Sequence, residues 1–130
     1  MVTRRHARSG SPFETSIGFS RALRSGPLVS VAGSGPMADD GTSYAVGDPE
    51  GQARRCLEIG LRALAELGAR PEEVIRTRMF IVDPADADAI GRAHAEVFRD
   101  VMPAATMVVV AALLRPEWKV EIEIDAWSPE

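Results

Sequence analysis

Three acids stand at alternate positions near the C-terminus, Glu121, Glu123 and Asp125, in the stretch KVEIEIDAW. In a strand they share one face, and Val120, Ile122 and Ile124 share the other. Such a face is either solvated surface or the wall of a site that uses a carboxylate as acid or base. Arg76 and Arg78 alternate in the same way within VIRTRMFIV, on the face opposite Ile75, Thr77 and Met79. A guanidinium placed there either pairs with Glu121 or Glu123 or binds an anion.

Other chemistry-bearing residues are isolated. His94 falls on an apolar helical stripe, where a half-buried structural histidine is the plain reading, and His6 lies in a basic N-terminal stretch. No second histidine is placed to build a metal site, so neither a metal nor a cofactor is expected. Cys56, the single cysteine, excludes an internal disulfide and reads as helix packing. Gly33-Ser34-Gly35-Pro36 lacks the Gly-Lys-Ser/Thr of a phosphate loop and reads as a turn.

The elements that must hold these residues follow from periodicity. Ile17 to Ser25 and Pro27 to Ala32 read as a hairpin turning at Ser25-Gly26, and Met37 to Gly47 as a loop. Asp48-Pro49-Glu50 opens a helix with a cap and a first-turn proline. Its apolar positions Ala53, Leu57, Gly60, Leu61, Leu64 and Leu67 keep helical spacing up to Gly68. Val74 to Val82 reads as a strand, and Asp83-Pro84 opens a second helix with Ile90, Ala93, His94, Val97 and Phe98 on its apolar side. Ala104 to Leu114 and Trp118 to Trp127 read as strands, giving the order β-β-α-β-α-β-β. Two helices and about five strands predict one sheet with both helices packed on one face.

Ala104 to Leu114 is apolar on both sides, the pattern of a strand covered twice. Two helices cover one face only, so the other, with Met107, Val109 and Ala111, would be wet in a monomer. A homo-oligomer whose sheets pack around a shared centre is expected.

With 130 residues the chain has the size of one domain, residues 13–130, preceded by a frayed basic segment, residues 1–12, that lacks the apolar core of a secretory signal. A net charge of −4 argues against nucleic acid as partner, since that needs a basic footprint. No apolar run reaches the roughly 20 residues of a membrane span, and a cytoplasmic protein is expected.

These stretches together resemble the Rid/YjgF family of reactive enamine/imine deaminases. The resemblance is carried by GFSRALRSGPLVSVAGSGP, DPEGQARRCLEIGLRALAELGA, PEEVIRTRMFIVD and PAATMVVVAALLRPEWKVEIEIDAW, covering Ser11 to Ala126. It implies a chorismate-mutase-like α+β fold, one mixed sheet with two helices packed on one face, a homotrimer, and clefts between subunits where water adds to the C=N bond of a 2-imino acid and ammonia leaves. It makes Glu121 the residue that positions the water. The family's carboxylate-gripping arginine falls on Ala105, its aromatic hydroxyl on Phe19, its serine on Ala32 before Gly33, and its helix asparagine on Gly91. The chain thus resembles a branch lacking that arginine. Either Arg78 or Arg76 supplies the anion contact from the same face as position 105, or Glu121, with His94, acts on a different enamine, imine or hydrolysable intermediate. The alternative is a trimer that binds small molecules without catalysis.

Overall fold

The structure is a computed structural model that describes residues 3–130. Its strands are β1 (Arg4–Ala7), β2 (Ala22–Ser25), β3 (Leu28–Ser34), β4 (Val74–Ile81), β5 (Ala104–Val109) and β6 (Val120–Trp127). Its helices are α1 (Pro12–Ile17), α2 (Pro49–Glu66) and α3 (Ala87–Phe98). The strands form one sheet in the order β1-β2-β3-β6-β4-β5, antiparallel throughout except for the parallel pair β4–β5. The expected order is present, with one strand and one short helix added in front.

Helices α2 and α3 cover one face of this mixed sheet. Asp48 caps α2 by accepting from the Gly51 N–H at 3.0 Å, with Pro49 in the first turn. Ala53, Cys56, Leu57, Ala63 and Leu64 then pack on Val31, Met79, Ile122 and Ile124. Gly60 brings helix and sheet into close approach, because a Cβ there would meet Ile124 Cδ1 at 2.9 Å and Val31 Cγ1 at 3.6 Å. The thiol of Cys56 is fully buried in this layer, as packing predicts, and burial pushes its pKa well up.

The alternation of β6 is as expected. Val120, Ile122 and Ile124 are buried under the helices, while Glu121, Glu123 and Asp125 lie on the opposite face. On β4 the expectation holds from Thr77 onward. Ile75 is half exposed, because a register shift between Val74 and Arg76 gives Val74 the buried place.

Three expectations are corrected. Residues Arg4–Ala7 are not frayed: β1 pairs antiparallel with β2, and Ala7 is buried in the core. Ile17 does not open a strand; it ends α1, which Ser11 caps and Gly18 closes in the left-handed conformation at φ 91°. Strand β5 stops at Val109, and its faces are the reverse of those expected. Met107 pairs with Met79 and packs on the core, whereas Thr106 and Val108 stand beside Arg78 and Phe80 on the open face. A strand apolar on both faces carries no pattern that fixes its parity.

Candidate functional site

Strand β3 is irregular where the site lies. Val31 pairs with Ile124 but Ser34 pairs with Ile122, so Ala32 and Gly33 fall in a bulge opposite β6. The Glu121 side chain folds over Gly33, where a Cβ would stand 2.5 Å from its Oε2. Two residues on, a Cβ on Gly35 would stand 2.5 Å from Trp118 Cζ3. The turn read at Gly33-Ser34-Gly35-Pro36 therefore does more than reverse the chain. Its glycines leave bare backbone on which a carboxylate and an indole are seated.

Between them opens a cleft of about 370 Å³, lined by Phe13, Phe19, Ala32, Gly33, Trp118 and Glu121. The Phe13 ring meets Trp118 edge-on, 6.4 Å between centroids at 78°. The Trp118 Nε1–H donates to Ser43 Oγ at 3.1 Å, which fixes the indole. Burial among these apolar groups raises the Glu121 pKa above its ordinary value; Arg21 opposes that shift and Glu123 adds to it. Glu121 has no ion-pair partner within 4.0 Å among the described residues, unlike Glu123, which faces Arg78 at 3.6 Å. A carboxylate held in this way exchanges a proton more readily near neutral pH than an ordinary glutamate.

The sequence-predicted residues fall into two groups. Phe19, Ala32, Gly33 and Glu121 converge on the cleft. Ala105, His94 and Gly91 do not; they lie on the helix side of the sheet. In the parallel β4–β5 pair Ala105 stands beside Thr77, whose Oγ1 is 2.8 Å from His94 Nε2. His94 rests on Phe98 at 4.8 Å, and burial lowers its pKa. Gly91, one turn earlier on α3, has open space over its Cα.

Arg78 is on the Glu121 face of the sheet, and there its Nη1 lies 3.1 Å from Asp125 Oδ2 and 3.6 Å from Glu123 Oε1. The ion pair expected of it is thus made with Glu123 and Asp125. Its expected sharing of a face with position 105 is incorrect, since Arg78 pairs with Thr106 and Ala105 faces the other way. Arg76 donates to Thr106 Oγ1 at 3.0 Å. Among the described residues no group of three His, Cys, Asp or Glu side chains is arranged to hold a metal, and no helix is long and apolar enough to cross a membrane.

Two residues of this region went unread in the sequence. Arg21 lines the cleft and is 6% exposed; its Nη1 donates to the Gly33 carbonyl at 2.7 Å and to Ser34 Oγ at 3.2 Å. Glu14, 3% exposed, faces Arg21 Nε at 3.5 Å and accepts from Ser9. The signal was present: Arg21 is two residues after Phe19, the spacing that returns a side chain to the same side of an extended segment.

Known proteins resemble the chain along nearly all its length. A Mycobacterium tuberculosis crystal structure, Rv2704, described as a member of the YjgF/YER057c/UK114 family, superposes with a TM-score of 0.87 at 39% identity, covering 96% of this chain and 99% of that one. An uncharacterized Streptomyces coelicolor protein, SCO2049, is 40% identical over 123 residues, 95% of this chain and 91% of the relative. The 3-aminoacrylate deaminase RutC of Acinetobacter baylyi is 32% identical over 101 residues, 78% of this chain and 79% of the relative. The Endoribonuclease L-PSP family matches residues 10–128, and the chain therefore belongs to that family, the Rid/YjgF family its sequence resembles.

Proposed function

We propose that the protein is a Rid-type hydrolase that adds water to the C=N bond of a small imine, or of an enamine through its imine tautomer, with Glu121 as the acid/base. The observation that carries this reading is the Glu121 carboxylate over Gly33, its pKa raised by burial and without an ion-pair partner among the described residues, at the wall of an apolar cleft. In the proposed step the water oxygen bonds to the imine carbon. Glu121 takes one proton from that water and returns it to nitrogen, forming a carbinolamine. Transfer of the hydroxyl proton to nitrogen, with cleavage of C–N, leaves a carbonyl product and ammonia. The deaminase activity named for the Acinetobacter relative belongs to the same class.

The division of the site residues supports an oligomer with sites between subunits, which the family resemblance makes a homotrimer. In one chain Glu121 and Ala105 lie on opposite faces of the sheet, so they contribute to one site only if a second copy brings its β5 edge to the cleft. Light scattering on the purified protein tests the assembly. The same reading places the protein in the cytoplasm, in keeping with its single buried thiol.

Ammonia release from imines and enamines generated in situ by an amino-acid oxidase or a lyase tests the activity. The wild type is expected to exceed buffer, and Glu121→Gln to lose about 10²-fold or more. If neither protein exceeds buffer across a broad panel while small ligands still bind, the non-catalytic binding alternative replaces the hydrolase.

A further inference from the structure

Two carboxylates flank one buried guanidinium. Glu14, 3% exposed, stands 3.5 Å from Arg21 Nε and is held there by the Ser9 N–H at 3.2 Å and the Ser9 hydroxyl. Glu121 is on the other side of Gly33, its carboxylate over the Cα. Between them, Arg21 Nη1 donates to the Gly33 carbonyl at 2.7 Å and to Ser34 Oγ at 3.2 Å. Arg21 and Glu121 line the same cleft, yet among the described residues the Arg21 ion pair is made with Glu14 alone. A guanidinium keeps its charge at any ordinary pH. The acid it pairs with is therefore held as the anion, and the other is left to exchange a proton.

The surroundings of Glu121 make this choice matter. On its own strand, Glu123 is matched by Arg78 at 3.6 Å. From α2 comes the Cys56 thiol, kept protonated by burial. Arg21, placed just ahead of β2, is the one cation that acts on Glu121 among the described residues. We propose that Glu14 is a positioning residue for Glu121: by engaging Arg21 against the β3 bulge, it keeps the guanidinium from pairing with Glu121 and leaves that carboxylate free. The inference rests on reading Glu121 as the acid/base. A Glu14 that only fastens α1 to β3 would leave the titration of Glu121 unchanged.

Glu14→Gln keeps the size of the side chain and removes its charge. Arg21 then has a single carboxylate in reach, and the pKa of Glu121 should fall, its ionisation constant rising about tenfold or more. Carboxyl-carbon NMR of the glutamates, titrated through the acid and neutral range, reads this. The Glu121 signal is assigned by its loss in Glu121→Gln. Adding Arg21→Gln to Glu14→Gln removes the competing cation and should return the Glu121 pKa to the wild-type value or above. If Glu14→Gln does not fold, Glu14→Asp decides. Its carboxylate is withdrawn by one methylene, and the ionisation constant of Glu121 should rise about threefold. A Glu121 titration that is unmoved in the folded variant overturns the proposal, as does a lowered pKa that persists in the double variant. Ammonia release is not read, so a negative deaminase assay leaves this result standing. An active enzyme whose Glu121 titration ignores Glu14 defeats this inference alone.

Discussion

The Glu121 carboxylate occupies the space a Gly33 side chain would fill: a Cβ on Gly33 would lie 2.5 Å from Oε2 and 3.0 Å from Cδ. The clashing group is the end of a flexible side chain, so Gly33→Ala should fold, with a stability change within about 1 kcal/mol. The carboxylate must swing away, and displacing a catalytic group by about 1 Å costs on the order of 10²-fold in rate. Thermal melts beside ammonia-release rates check the pair of outcomes. A variant of unchanged activity would mean that this pose of Glu121 is unimportant.

Glu121 and His94 should tilt the pH dependence of stability in opposite senses. Burial raises the folded pKa of Glu121 above 4.5, so its contribution is full below about 4.5 and is lost as pH rises through the folded value. Glu121→Gln, fixed in the neutral form, should gain on the wild type over that window. Burial lowers the folded pKa of His94 below 6.5, so its contribution is full above about 6.5 and is lost as pH falls through the folded value. His94→Gln should flatten that arm. Urea midpoints from about pH 4 to 8 separate the two; parallel curves for wild type and both variants would refute the assignment.

Most of the fold was legible because local chemistry and tertiary need agree. Asp48-Pro49 starts α2 where the helical stripe begins, and β6 alternates strictly because one face is buried and the other carries acids. The remainder depends on contacts that leave no periodic trace. Strand β1, Arg-Arg-His-Ala, is a polar edge strand with only Ala7 buried, so nothing in its composition marks it. Strand β5 is apolar throughout and readable in either register, and that ambiguity put Ala105 on the wrong face. The alternating run marked Glu121, Glu123 and Asp125 alike, and only the family resemblance singled out Glu121 among them. Arg21 left no trace beyond its two-residue spacing from Phe19, because its burial comes from Glu14 and the β3 bulge.

Helix α2 approaches the sheet at Gly60, where an added methyl group would meet Ile124 Cδ1 at 2.9 Å inside the core. Alanine is the better helix former by about 1 kcal/mol. Overpacking a dense core costs about 1–3 kcal/mol, and Ile124, 1% exposed, has little room to yield. Gly60→Ala should therefore destabilise by about 1 kcal/mol, read from denaturant unfolding, and a stabilised variant would show that the helix can shift.

Arg24 is the fold's other buried guanidinium, 2% exposed, and it is held by neutral oxygens. Its Nε donates to the Leu67 carbonyl at 2.7 Å, at the C-terminal end of α2, where the helix dipole favours a cation. Nη1 donates to the Gly26 carbonyl at 3.0 Å and the Ser128 carbonyl at 2.7 Å, and Nη2 to Ser128 Oγ at 3.1 Å. One side chain thereby ties the β2–β3 turn, the end of α2 and the residue after β6. Arg24→Met keeps the apolar stem but strips the buried carbonyls at Leu67 and Ser128 of their donor, at a cost of about 3 kcal/mol. In a chain of this size that lowers the melting temperature by about 10 °C. Arg24→Lys should fall between, since one ammonium cannot reach three directions at once. If Arg24→Met melts within about 2 °C of the wild type, the three segments are held by other contacts and the clip is incidental.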